Sequence, residues 1–129
     1  MGTETKDFLL WHFQRCEGGS INFRFLKGEE KRNHFLPLDR LTEDPRALED
    51  LLSRTRTLNS YFGTASRNGN DGTKAGVLEI PALWVDLDGS PLSPLLEGPF
   101  LPSATVETSP GKYHCYWKLR EPAGRDEIE

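Results

Sequence analysis

The stretch ALWVDLDGSP, residues 82–91, decides the fold and the site expected of this chain. Its apolar residues are typical of a buried strand, yet it carries Asp86 and Asp88, one residue apart. Because an unpaired carboxylate is costly to bury, we expect something positive beside them. Side chains alternate across a strand, so both aspartates point to one side, roughly 7 Å apart along the backbone, and Val85 and Leu87 point to the other.

The last two extended segments show a similar division. ATVETS (104–109) and YHCYWKL (113–119), joined by PGK, predict a hairpin whose turn is formed by Pro110 and Gly111. Alternation predicts that His114 and Lys118 share one face of the last strand, and that Ser109 lies on the polar face of its partner together with Thr105 and Glu107. If the segments share a sheet, Asp86, Asp88, Ser109, His114 and Lys118 converge on one surface, and the opposite, apolar face is packed.

This combination of side chains is typical of a metal and phosphate site. Mg²⁺ and Mn²⁺ prefer carboxylate oxygens, and two such ions hold the attacking and leaving oxygens of a phosphoryl transfer. Histidine and lysine suit a triphosphate. The alternative interpretation is a chance D-x-D pattern of the kind found in surface loops, but its place on an apolar strand favours the metal site.

The rest of the chain predicts an α+β domain: a mixed, largely antiparallel sheet with helices on one face and a cleft on the other. Apolar spacing predicts helices over 3–15 and 44–55, the second capped by Thr42 or Asp44 with Pro45 in its first turn. SINFRFL (20–26) and RNHFLPL (32–38) predict a hairpin, and TLNSYFGTAS (57–66) a further strand. The glycine-rich loop that follows begins at Arg67, whose side chain either meets phosphates of nucleotide or template or is a solvated loop charge.

Bulk properties fit one soluble domain of 129 residues. The net charge of −4 argues against a generally cationic nucleic-acid binder, although it leaves local basic patches open. No apolar stretch approaches the roughly 18 residues of a membrane span, so we expect a cytoplasmic protein without membrane contact. We assign residues 1–122 to the domain and 123–129 to a loose acidic tail or the start of a missing segment.

At this point the ordered motifs resemble the archaeo-eukaryotic primase superfamily, and within it the RepB-like primases of plasmids, phages and related mobile elements. The resemblance lies in YFGTASRNG (61–69), ALWVDLDG (82–89), a proline-rich connection and PSATVETSPGKYHCYW (102–117). It covers residues 58–122, about half of the chain.

The resemblance implies the active site of a DNA primase and polymerase, a metal-dependent nucleotidyltransferase that makes primers on a DNA template. It implies that Asp86 and Asp88 are the catalytic Mg²⁺ or Mn²⁺ ligands, and that His114 and Ser109 contact the phosphates of the incoming nucleoside triphosphate. Arg67 and Lys118 are further candidates for nucleotide binding. A helicase domain or subunit is an expected partner.

One feature of the family is missing. Such primases carry a third acidic motif on a later strand, whereas this chain stops about ten residues after its second motif. Either the chain is the front part of a longer protein or it cannot polymerise alone. Glu107, placed by alternation on the polar face, is a candidate for the third ligand.

Two other functions stay open. WVDLDGSPL also resembles the opening strand of haloacid dehalogenase-like phosphatases, in which the first aspartate, here Asp86, is the nucleophile and the second a general acid or base. That family needs a parallel, Rossmann-like sheet, which a hairpin after a short proline-rich link does not favour. The third possibility is a catalytically inactive nucleic-acid-binding module with a degenerate acidic strand.

Overall fold

The computed structural model describes residues 2–44, 46–87 and 90–124. Asp88, together with Pro45 and most of the predicted tail, lies outside the described residues. The helices are α1 (Gly2–Phe13), α2 (Leu38–Glu43), α3 (Ala47–Arg54) and α4 (Ser93–Glu97), with a short 3-10 helix at Lys74–Gly76. The strands are β1 (Ser20–Lys27), β2 (Glu30–Pro37), β3 (Asn59–Phe62), β4 (Ser66–Arg67), β5 (Val77–Asp86), β6 (Ala104–Ser109) and β7 (Lys112–Gly124).

The α+β class predicted from the sequence is confirmed. All seven strands belong to a sheet, and every strand pair whose register is defined is antiparallel. The chain divides into two compact units: residues 2–81 with 122–124, and residues 82–121. None of the helices within the described ranges is long and apolar enough to cross a membrane.

In the first unit, β1 lies between β2 on one side and β3 and β4 on the other. Strand β4 in turn pairs with β5. Ile21, Phe23 and Phe25 alternate along β1 and are almost fully buried, as the period of two requires. They form one hydrophobic core with apolar residues of the first three helices, so these helices pack on one face of this part of the sheet. The predicted hairpin of β1 and β2 is confirmed, with Ser20 opposite Pro37 and Lys27 opposite Glu30.

Helix α3 buries Leu48, Leu51 and Leu52, whose i, i+3, i+4 spacing places them on one stripe. The predicted cap at Thr42 or Asp44 is wrong, because residues 38–43 form the separate helix α2 and Thr42 lies within it. The N-cap of α3 is Arg46, which makes no side-chain capping hydrogen bond. Asp44 acts just before the helix instead, where its side chain accepts a hydrogen bond from the backbone N–H of Arg46 at 3.3 Å.

The two histidines outside the predicted site both belong to the first unit. His12 is fully buried, and its Nε2 lies 2.8 Å from the carbonyl oxygen of Thr64. His34 lies opposite Phe23 on β1, and burial, with the charge of Arg54 as a smaller cause, lowers its pKa below the ordinary value. Both side chains therefore have surroundings that fit a structural role.

The close approach of two backbone segments requires a glycine at position 19. Gly19 has a φ of +95°, and a Cβ at this position would lie 2.6 Å from the backbone oxygen of Arg67. Only glycine fits both the left-handed backbone and this distance. Gly19 thus allows the chain to enter β1 beside β4, where Ser20 pairs with Arg67.

The second unit contains the end of β5, from residue 82 onward. Strand β5 lies next to β7, and β7 pairs with β6 in the predicted hairpin. Gly111 in the turn has a φ of +77°, which suits its place between the strands. The prediction of a packed apolar face in this unit is wrong for part of β5: Leu83 is 60% exposed and Val85 is 44% exposed. Alternation assigns residues to a face, but it does not supply an element to pack against that face, and these two side chains remain exposed.

Candidate functional site

Four side chains of the second unit form a cluster that we name the Asp–His face: Trp84 and Asp86 of β5, and His114 and Tyr116 of β7. The Nε2 atom of His114 lies 3.6 Å from Oδ1 of Asp86, within ion-pair range but longer than a hydrogen bond. The side chain of Asp86 is 53% exposed and that of His114 is 27% exposed. The structure therefore brings together, at a solvent-accessible surface, the aspartate and the histidine that the sequence placed on one face.

Two aromatic rings flank His114. Its ring centroid lies 5.1 Å from that of Trp84 and 6.5 Å from that of Tyr116. Trp84 and Tyr116 are nearly parallel at 6.3 Å. Tyr116 is buried whereas Trp84 is 43% exposed. One of the two aromatic rings beside His114 is therefore accessible to solvent. Trp84 was missed from the sequence, although its spacing of two from Asp86 already placed both on the same face.

The prediction for β6 is correct for Ser109 and wrong for Thr105 and Glu107. Val106 lies opposite His114, and Glu107 opposite Tyr113, so Glu107 and Thr105 are on the other face of the sheet. The register then shifts, and Ser109 lies opposite Lys112. Between these two pairs the chain advances by two residues on β6 but by only one on β7, so Thr108 is the extra residue of a β-bulge. The bulge returns Ser109 to the face of His114 and removes Glu107 as a third ligand on that face.

The other predicted site residues are placed as follows. Lys118 lies on the face of His114 by alternation along β7, and its backbone N–H donates to Oγ of Ser103 at 2.9 Å. Asp88 lies outside the described residues. Arg67 belongs to the first unit, where its Nη1 donates to the carbonyl oxygen of Thr73 at 2.7 Å. Trp117, which is not among the predicted site residues, lies on the face opposite to His114 by alternation, and its Nε1 donates to the carbonyl oxygen of Phe100 at 3.2 Å.

The donor set on the Asp–His face fits a divalent ion that is shared with a substrate. No group of three or more His, Cys, Asp or Glu side chains able to hold a metal occurs among the residues that the structure describes. Asp86 and His114 nevertheless offer a carboxylate oxygen and an imidazole nitrogen at the same place. Mg²⁺ is usually held by one or two carboxylates, with water and substrate phosphates as its other ligands. The residues present therefore fit a metal whose other ligands are water and phosphate oxygens.

Comparisons with known proteins bear on the fold. Neither the protein-family models nor the curated proteins contain a match to this sequence. Among solved structures, the AEP domain of the primase-polymerase (PrimPol) of cyanophage S-2L matches with a TM-score of 0.63 and 16% sequence identity. The chain has the fold of a primase domain. The match covers 94% of this chain and 64% of the cyanophage chain, so more than a third of that domain has no counterpart here.

The burial of Tyr116 has a measurable consequence at high pH. Burial raises the pKa of Tyr116 to about 12, above the value of about 10 for an unfolded chain. The resulting contribution to stability is fully present below about pH 10 and is lost as the pH rises from 10 through 12. We expect the urea midpoint of unfolding to fall between pH 9 and pH 11, and the fall to be smaller in Tyr116→Phe. In Tyr61→Phe, which removes an exposed phenol, the fall should equal that of the parent; equal falls in all three proteins would contradict the burial of Tyr116.

Proposed function

We propose that this chain carries part of the catalytic domain of a DNA primase-polymerase. The reaction is attack by a 3′-hydroxyl on the α-phosphorus of a nucleoside triphosphate on a DNA template. A phosphodiester bond forms, the bond between the α- and β-phosphates breaks, pyrophosphate leaves, and the hydroxyl proton passes to solvent. The observation that carries this proposal is the 3.6 Å approach of Asp86 and His114 in a chain with a primase-type fold.

Each residue of the face has a role in this proposal. Asp86, with Asp88 as the second ligand expected from the sequence, holds Mg²⁺ or Mn²⁺. The metal supplies charge that stabilises the transition state of phosphoryl transfer. His114 and Ser109 bind the triphosphate, and Lys118 adds positive charge on the same face. Trp84, partly exposed beside His114, offers a ring against which a base or sugar stacks.

The finer assignments belong to the same proposal. The motif resemblance supports the RepB-like group of plasmids, phages and mobile elements and a helicase partner. A cytoplasmic location, expected from the sequence, is part of the same proposal. Arg67 is proposed to contact phosphates of nucleotide or template. The antiparallel strand pairs argue against the haloacid dehalogenase alternative, because that chemistry is built on a parallel sheet.

The decisive experiment is calorimetric titration of the 129-residue chain with a deoxynucleoside triphosphate, with Mn²⁺ or with EDTA. Because the metal and the nucleotide share ligands, we expect nucleotide binding only when Mn²⁺ is present, and little Mn²⁺ binding without nucleotide. Nucleotide binding that is equal with Mn²⁺ and EDTA would contradict the metal site. Absence of nucleotide binding would leave the inactive nucleic-acid-binding module. Hydrolysis of a generic phosphate ester with a beryllofluoride adduct at Asp86 would favour the phosphatase.

A further inference from the structure

The first unit contains a cavity at the end of α1 that the proposed function does not use. Its volume is about 710 Å³, within the range of about 300–1,000 Å³ that is usual for ligand sites. The last turn of α1, the loop that leads to β1 and the start of α2 form its walls. We name it the α1–α2 groove. None of its lining residues belongs to the Asp–His face.

The inner lining of the α1–α2 groove is apolar. Phe13 and Leu41 are buried, and the side chains of Leu10, Trp11 and Leu38 beside them are only partly buried. These side chains belong to two helices that contribute to the hydrophobic core, yet some of their apolar surface remains open to solvent. A ligand with an apolar group would remove that surface from water, which is favourable.

The charged side chains of the lining are acidic. Glu17 and Asp39 line the groove and are exposed. The carboxylate of Glu79 lies beside them, because its Oε1 accepts a hydrogen bond from the backbone N–H of Glu17 at 2.9 Å. No lysine or arginine occurs among the lining residues, all of which lie in the described ranges; Arg15 and Arg40 are neighbours of lining residues in the sequence only. The charge of the lining is therefore complementary to a cation.

A glycine that the fold does not require also lines the groove. Gly19 is needed for its left-handed backbone and its approach to Arg67, but Gly18 has a φ outside the left-handed region, and a Cβ there would meet nothing within 4 Å. In the described part of the chain, the N–H and the carbonyl of Gly18 have no hydrogen-bond partner. The missing side chain leaves this stretch of main chain open to a ligand.

From these observations we infer that the α1–α2 groove binds a short peptide segment of a partner protein, in which an apolar side chain adjoins a lysine or arginine. The apolar side chain packs against the inner lining, and the cation faces Glu17 and Asp39. The main chain of the peptide exchanges hydrogen bonds with Gly18, which a small organic cation without amide groups cannot do.

This inference goes beyond the proposed function. Peptide binding in the α1–α2 groove requires neither a metal nor a nucleotide, and its test is made without either. Failure of the peptide site would leave nucleotide binding at Asp86 and His114 untouched, and the reverse also holds.

The experiment uses the thiol of Cys16 as a reporter. Cys16 lines the groove and is partly exposed, whereas Cys115 is fully buried, and neither is in a disulfide. Thiol–disulfide exchange with a bound probe therefore occurs at Cys16, and Cys16→Ser confirms the position. The probes are acetylated and amidated peptides, Cys-Gly-Leu-Lys, Cys-Gly-Leu-Glu and Cys-Gly-Ser-Lys, together with cysteamine, a small cation without an apolar side chain. Intact-mass spectrometry measures their capture by the whole chain at a series of reductant concentrations.

We expect the Leu-Lys peptide to be captured about 5-fold or more in preference to each of the other probes, from the charge contacts and the burial of leucine. Equal capture of the Leu-Lys and Leu-Glu peptides would contradict the acidic site. Equal capture of the Leu-Lys and Ser-Lys peptides would contradict the apolar one, and capture of cysteamine as strong as that of the Leu-Lys peptide would contradict a peptide ligand.

Two variants locate the contacts. Asp39→Asn should lower the preference for Leu-Lys over Leu-Glu by about 2- to 5-fold. Asp50→Asn is the matched control, because Asp50 is also exposed in the first turn of a helix but does not line the groove. Gly18→Trp should reduce capture of the Leu-Lys peptide to that of cysteamine, with cysteamine capture unchanged because the thiol stays reachable. Melting curves close to that of the parent are expected, since Asp39 is exposed and a side chain at position 18 meets open space.

The inference is overturned if Asp39→Asn and Asp50→Asn have equal effects, or if Gly18→Trp, folded like the parent, captures the Leu-Lys peptide as well as the parent does. Analytical ultracentrifugation tests a second copy of this chain as the occupant. We expect the same mass for the parent and Gly18→Trp. An oligomer of the parent that Gly18→Trp dissociates would assign the groove to self-association and overturn its assignment to a partner peptide.

Discussion

Asp86→Asn is expected to weaken Mn²⁺-dependent nucleotide binding by more than about 100-fold. Loss of an outer-shell partner of a metal ligand already costs about 10- to 100-fold in metal affinity, and this substitution removes the charge of a ligand itself. The side chain of Asp86 is 53% exposed, so the substitution should leave the folded structure in place. Calorimetry with a deoxynucleoside triphosphate and Mn²⁺ measures the loss directly.

Glu107→Gln is the control for this experiment. It removes the same charge from the neighbouring hairpin, but the pairing of Glu107 with Tyr113 places it on the opposite face from His114. The hydrogen bond and charge of Glu107 raise the pKa of Tyr113 above the ordinary value, which indicates that its carboxylate interacts there. Equal losses in Asp86→Asn and Glu107→Gln would mean that overall charge, and not a metal site on the Asp–His face, determines the binding.

His114→Gln separates the phosphate contact from the metal. Hydrogen bonds to charged groups contribute about 1.5–3 kcal/mol, so its loss should weaken nucleotide binding by about tenfold or more, less than the loss of Asp86. The comparison distinguishes the proposed roles, because a structural partner of Asp86 would affect melting in the absence of ligand. A large drop in melting temperature with unchanged nucleotide binding would contradict phosphate contact by His114.

The core and the hairpins could be predicted from the sequence because their signals are local. Phe23 and Phe25 alternate with polar residues on β1, and Pro110 with Gly111 predicted the last turn at its observed place. The same alternation placed Asp86 and His114 on matching faces, and the structure separates them by 3.6 Å. These predictions needed only the period of a strand and the adjacency of β5 and β7.

The failed predictions depended on information that alternation lacks. Nothing in ATVETS indicates the bulge at Thr108, yet the register around it determines that Ser109 and Glu107 lie on different faces. The apolar pattern of Leu83 and Val85 predicted a packed face, but packing requires another element, and these side chains are exposed.

The core of the first unit makes the strongest prediction about stability. Phe25 is 1% exposed and its ring is parallel to that of Phe23 at 6.2 Å. Truncation of a buried phenylalanine removes its transfer free energy and leaves a cavity, so Phe25→Ala should lower the free energy of unfolding by about 3–5 kcal/mol. Small domains have only about 5–15 kcal/mol in total, and urea unfolding will therefore begin at a much lower concentration.

Tyr61→Ala provides the comparison for Phe25→Ala, because both positions lie in the same part of the sheet and Ser60, the neighbour of Tyr61, pairs with Phe25. Tyr61 is 55% exposed, so its loss should change the free energy of unfolding by less than about 1 kcal/mol. If the two variants unfold at similar urea concentrations, the odd-numbered face of β1 is not the packed one. The assignment of the even-numbered residues of β1 to the accessible face would then fail as well, since a period of two permits only one of the two faces to be buried against the helices.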